Sequence, residues 1–198
     1  MHTASGGMEK LPLYKTFDKS VIYDSDKNRT TTFRMNISGG ISVEFWLKKQ
    51  AFTTSKTKKE VILDLWNGNA SSSADYGRFT LAITGTLSSS TDPFLITLQS
   101  GATGFFESSI GSTTITTSSF SDWSHYAFTF ISGASGVLSK MYVNGNLDKS
   151  ASLGSTGVST IGGLVNGYIG ALQTTPSGNA FHGATMAGSG KLSGSMDD

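Results

Sequence analysis

A carboxylate beside an indole is a pairing suited to glycan chemistry, and the stretch GISVEFWLKKQ (40–50) holds one. In an extended chain Glu44 and Trp46 project to one side, whereas Val43, Phe45 and Leu47 project to the other. Cleaving a glycosidic bond takes two carboxyl groups, about 5–5.5 Å apart for retention and about 6.5–9.5 Å for inversion. A strand would offer the second acid two residues away, on the same side. Glu44 is followed by Phe45, Trp46 and Leu47, and none of the other glutamates, Glu9, Glu60 and Glu107, has an acid at that spacing. Asp64 stands alone between Leu63 and Leu65. The chain is therefore read as non-catalytic, with Glu44 a hydrogen-bonding or ion-pairing residue.

Other reactive sets are equally thin. No Gly-x-Ser-x-Gly elbow marks a nucleophile, since GSTG and GSGK lie in glycine-rich loops. The histidines are His2 near the terminus, His125 in a strand pattern and His182 in a loop pattern, too dispersed for zinc, which needs several converging ligands. A richer cluster is DLWNGNASSSADYGR (64–78), a loop between two strand patterns. Calcium takes six to eight oxygens, commonly from carboxylates, amides and carbonyls; Asp64, Asn67 and Asp75 are the candidate ligands. A sugar presents C–H faces to aromatic rings and hydroxyls to polar groups, the general form of a small-ligand site. Trp66, Asn67, Asn69, Tyr76 and Arg78 supply those types. The competing structural reading makes the loop a polar turn whose Asn and Asp side chains bond the backbone, with Trp66 capping the core.

The elements that must position these residues are strands. Alternating runs recur at Val61–Trp66, Arg78–Thr84, Phe94–Gln99, Thr113–Thr117, His125–Ile131 and Val137–Val143, while helical periodicity is nearly absent. Asn144-Gly145 accepts positive φ at both central positions of a tight hairpin, so the strands around it form an antiparallel meander with the one before them. Twelve Phe and three Trp are enough for a core, and 198 residues suit one all-β domain. A net charge of +1 without a clustered basic face argues against nucleic acid. The run KTKKE (56–60) reads as a solvated hairpin tip. There are no cysteines, no apolar run near the ~20 residues that cross a bilayer, and no apolar segment near Met1 that would mark a secretory signal.

Taken in order, SVEFWLKK, FSDWSHYAFTF, MYVNGNLD, YIGAL and KLSGSMDD resemble the framework motifs of the laminin-G-like branch of the concanavalin-A-like lectin and glucanase jelly rolls. The resemblance runs from about Phe17, leaving 1–16 as an N-terminal extension and 17–198 as the domain. It implies two antiparallel sheets, with rim loops that bind sugars or calcium in many relatives. It also implies that Trp123 is a framework core residue and that His125 has a structural hydrogen-bonding role; Asn144, Gly145 and Asn146 are turn formers by residue type, and nothing in the spacing demands that Asp148 join them at the rim. Hydrolases of this fold carry Glu-x-Asp-x-x-Glu on one strand, which Glu44 does not begin, and the acids of the legume-type Mn/Ca site are also lacking downstream of it. In the family a further strand follows the Asp-Asp pair, here Asp197 and Asp198; that final strand is expected to be missing from this sequence or supplied from elsewhere, leaving an unpaired edge. The expected function is a non-catalytic carbohydrate-binding or adhesion module of a larger surface or virion protein, with a glycan or a protein surface as partner. An assembly module with a strand-completing or homo-oligomeric partner is the first alternative. A glycoside hydrolase or polysaccharide lyase, drawing on Tyr76, Arg78 and His125, is the second. Extracellular or virion-associated placement follows from that reading.

Overall fold

The computed structural model describes residues 35–49, 60–70, 73–83, 93–162, 165–173, 191–192 and 194–197. The extension 1–16, His2, His182, Lys56–Lys59 and Asp198 lie outside these residues. The described strands, in chain order, are β1 (Ile41–Lys48), β2 (Glu60–Trp66), β3 (Gly77–Ile83), β4 (Phe94–Ser100), β5 (Thr103–Ile110), β6 (Ser124–Gly133), β7 (Gly136–Val143), β8 (Asn146–Leu153), β9 (Asn166–Ile169) and β10 (Ser195–Asp197). They form two five-stranded antiparallel sheets, β10-β1-β6-β7-β8 and β5-β4-β3-β2-β9.

Period-two alternation sets the layering. Phe45 and Leu47 of β1, Tyr126, Phe128 and Phe130 of β6, and Met141 of β7 turn inward and meet Phe79, Leu81, Phe94, Ile96 and Leu98 from the other sheet. Phe94 stands edge-on to Phe128 at 5.0 Å between ring centroids, and Phe79 edge-on to Phe130 at 5.3 Å. Such pairs add about 0.5–1.5 kcal/mol each beyond the area they bury. Phe120 fits beside Phe94 and Tyr126 at 5.3 and 5.5 Å. Burial pushes the Tyr126 phenol up to about 12, partly offset by its hydrogen bond with Ser124.

The meander forms as expected: Asn144 and Gly145 take φ of 48° and 81°, and the Asn144 side chain also accepts the His125 N–H at 2.9 Å. Two expectations need correction. Thr113–Thr117 is not a strand; Ser119 Oγ accepts the Thr116 N–H at 3.1 Å and a short 3-10 turn follows at Thr117–Phe120. Closely spaced hydroxyls there bond their own backbone and compete with a sheet ladder. Trp123 is not in the core but 46% exposed. It precedes β6, and the interior place beside Tyr126 is filled by Phe120.

The outer faces of the two sheets differ. Behind the β2–β3–β4 sheet, Leu172 packs with Val61 and Ala82 in a small second core, so strand β3 is buried along its whole length. The outer face of the β1–β6–β7–β8 sheet carries exposed side chains. At one side of the sandwich β10 and its neighbour β1 lie opposite β9 and β2, and a cleft of about 440 Å³ opens between the layers.

Candidate functional site

The loop 64–78 is built largely of its own hydrogen bonds. Asn67 Oδ1 accepts the N–H groups of Asn69 and Gly77 at 3.2 and 3.1 Å, while its Nδ2 donates to the carbonyls of Asp75 and Gly162 at 2.6 and 3.1 Å. Asn69 Nδ2 donates to the Asp75 carbonyl at 3.0 Å, and the Trp66 indole N–H to the Asn69 carbonyl at 2.9 Å. These bonds satisfy backbone groups that the turn would otherwise leave open. The polar-turn reading of the loop thus accounts for Asn67 and Asn69, whereas Trp66 does not cap the core but bonds the turn from the outer side of β2.

Asp64 has a different role from the one its candidacy as a calcium ligand suggested. Its side chain is fully buried on the covered side of β2. Oδ1 accepts Arg78 Nε at 2.8 Å and Thr80 Oγ1 at 2.9 Å; Oδ2 accepts Arg78 Nη2 at 2.6 Å and the Gln173 N–H at 2.9 Å. Four donors converge on two oxygens, and the guanidinium grips them side by side. Arg78 also lies 5.6 Å from the Trp66 ring centroid, within reach of a cation–π contact. Of the residues proposed for ligand contact, Asn67, Tyr76 and Arg78 are therefore buried, whereas Trp66 and Asn69 remain half-exposed. Of the proposed metal ligands, Asp75 alone keeps an exposed side chain, because Asp64 and Asn67 turn inward. Among the described residues no three His, Cys, Asp or Glu side chains gather as a metal site.

The exposed chemistry lies on the other sheet. Cross-strand register places Trp46 beside His125 in one row, and Glu44, Ala127, Tyr142 and Leu147 in the next. Ser42, Thr129, Lys140 and Ser150 form a third row. Trp46 is 43% exposed, yet its ring is held 5.3 Å from the His125 imidazole at a 51° tilt. Glu44 Oε2 lies 3.7 Å from His125 Nε2. Both histidine contacts arise from pairing β1 with β6, so a hairpin-distant His is brought to the two residues that alternate along β1. Alternation paired Glu44 with Trp46, and His125 stood out in its own strand, but nothing local showed that the three meet, since register between distant strands is set by the whole sheet.

One acid also joins this face. Asp197 is opposite Trp46 in the β1–β10 pair and so projects outward like it, diagonal to Glu44. Asp148 accepts the backbone N–H and hydroxyl of Ser112 at 2.7 and 2.6 Å and ties β8 to the loop after β5.

No family model matches the sequence, and no curated protein sequence matches it. Among the solved structures similar to the chain is a β-glucanase of Bacillus licheniformis, 11% identical, with a TM-score of 0.36. That superposition covers 70% of this chain and 56% of the glucanase, so the chain spans little more than half of that protein's length. From its own strand order, register and core, the protein is an all-β, two-sheet antiparallel jelly-roll sandwich.

Proposed function

We propose that this domain is a non-catalytic recognition module for glycans, with the ligand lying across the open face of the β1–β6–β7–β8 sheet and Trp46 as its platform. The observation that carries the reading is the half-exposed indole, fixed against His125, with Glu44 and Tyr142 in the neighbouring row and Thr129 and Lys140 in the row beyond. A pyranose offers an apolar C–H face to such a ring and hydroxyls to the groups beside it. A β-sheet also holds its side chains at fixed spacings, so the rows act as a preorganised surface that loses little freedom on binding. Membership in a larger surface or virion protein is part of the same proposal and suits a module that binds without reacting.

A hydrolytic reading has one observation on its side: Asp197 and Glu44 are carboxylates on the same face, flanking Trp46. Against it stands the setting of Glu44, whose side chain is 73% exposed on an open sheet. Catalysis of this kind relies on excluding water from the reacting groups, which an open sheet face does not do. A glycan array probed with the wild-type protein and with Trp46→Ala tests the proposal. Binding to a defined set of glycans that disappears in the variant supports it. Reducing-sugar release from those same glycans, abolished by Glu44→Gln, would replace it with the hydrolytic reading.

A further inference from the structure

The rows of the open face also line up along a diagonal. Trp46 of β1, Ala127 of β6 and Lys140 of β7 follow one another at a step of one strand across and two residues along. Each step is about 7–8 Å, so the line is ~15 Å long. Ala127 is its small member. His125 and Tyr142 rise on one side of it, and Glu44 and Thr129 on the other, all from the outward side of their strands. A methyl group set among four longer side chains leaves a shallow groove. Ala127, His125, Thr129, Tyr142 and Lys140 are accordingly half-buried, whereas Trp46 and Glu44 at the β1 end are exposed.

Charge is uneven along this groove. At the β1 end Glu44 has the His125 imidazole 3.7 Å away, and Asp197 has Lys48 diagonally across the β1–β10 pair. Lys140 stands apart. Its row neighbours are Thr129 and Ser150, and the outward residues of the adjoining rows on β6 and β8 are Ala127, Ile131, Leu147 and Ser152. Asp148 turns away to Ser112. Glu44 is two strands and one row off, ~12 Å by strand spacing and rise. That exceeds the screening length of about 8 Å at physiological salt. Among the described residues, Lys140 is thus a cation flanked by hydroxyls and by no acid. We infer, resting on the glycan platform at Trp46, that the ligand is an oligosaccharide with one carboxylate, carried by an acidic sugar at its end. Neutral units lie over Trp46 and Ala127, and the carboxylate accepts from the Lys140 ammonium and the Thr129 and Ser150 hydroxyls. Charge-assisted bonds of this kind are the strong ones. One uncompensated cation matches one carboxylate, whereas a ligand charged on every unit sets anions against Glu44, which specificity penalises.

The test uses the whole chain and an array of neutral oligosaccharides together with oligosaccharides ending in uronic or sialic acids, each acidic member printed beside its carboxyl-reduced, neutral form. The wild type should prefer acidic members to their reduced forms by about tenfold, the scale of one hydrogen bond to a charged group. Raising the salt should shrink that preference. Lys140→Gln should bring the acidic forms down to the level of the reduced ones, and Lys140→Arg, which keeps the charge, should retain the preference. Ala127→Leu, which fills the groove floor from the outside, should weaken both forms alike. Equal binding of acidic and reduced forms, a bound set made only of neutral glycans, or a preference that survives Lys140→Gln would overturn this inference while leaving the Trp46 platform in place. Binding indifferent to Ala127→Leu would overturn the groove as its path. Binding to no member at all would remove the platform, and this inference with it.

Discussion

Replacing Asp64 with alanine is the sharpest perturbation of the loop first considered as a ligand site. The carboxylate is fully buried and takes two bonds from Arg78, one from Thr80 and one from the Gln173 N–H. Removing one partner of such a pair leaves the other charge uncompensated in the interior, at a cost of about 3–5 kcal/mol. For a domain whose total stability is about 5–15 kcal/mol, that is a large fraction. At about 2–4 °C per kcal/mol in a chain of this size, melting should fall by about 6–20 °C. Urea titration of the wild type, Asp64→Ala and the pair Asp64→Leu/Arg78→Met measures it. The double variant should recover most of the loss, because an apolar pair of similar volume removes the desolvation cost along with the attraction. A loss below about 1 kcal/mol for Asp64→Ala, or a double variant as unstable as the single, would refute the assignment of Asp64 as an interior anchor. A rise in stability on adding calcium that is present in the wild type and absent in Asp64→Ala would return Asp64 to the role of metal ligand.

The remaining predictions are smaller in scale. Calcium should leave the melting temperature of the wild type unchanged, since Asp64 and Asn67 spend their oxygens on internal donors; differential scanning calorimetry with and without chelator checks this. With the Tyr126 phenol raised to about 12 in the folded state against 10.0 otherwise, the unfolded chain releases its proton first on the alkaline side. Its contribution should be whole below pH 10 and fade between pH 10 and 12, and Tyr126→Phe should flatten that part of the stability profile. Asn144→Ala should cost about 1–2 kcal/mol in denaturant titration, because it places alanine in the left-handed region and deprives the His125 N–H of its acceptor.

Local rules made much of the fold legible. Alternation placed β2, β3, β4 and β7 within one residue of their observed limits and β1 and β6 within two, and Asn144-Gly145 located the hairpin between β7 and β8. Strand β5 escaped because TGFFESSI interrupts its own alternation: Glu107 has a φ of 47° and the pairing with β4 shifts register between Ile96 and Leu98. Thr113–Thr117 alternated well but lost to hydroxyl–backbone bonding. The candidate site was less legible for a related reason. Asp64 amid leucines is a mark of burial, and Arg78 at the head of the next strand could answer it, so the ion pair had a signal in the sequence. What no local pattern carried was the cover that Leu172 and Gln173 provide, Leu172 packing on Val61 and Ala82 and the Gln173 N–H bonding the Asp64 that holds Arg78, which turns an outer face into an inner one. The partners of Trp46, His125 on one side and Asp197 on the other, come from strands about 80 and 150 residues away, reachable only through sheet register.

The place of binding is best tested by amide and indole chemical-shift mapping during titration with an oligosaccharide selected on the array. Shifts centred on the Trp46 indole, the His125 ring, Tyr142 and Lys140, with residues 64–78 undisturbed, are the predicted pattern. Shifts gathered at Trp66 and Asn69 instead, leaving Trp46 unmoved, would contradict the account.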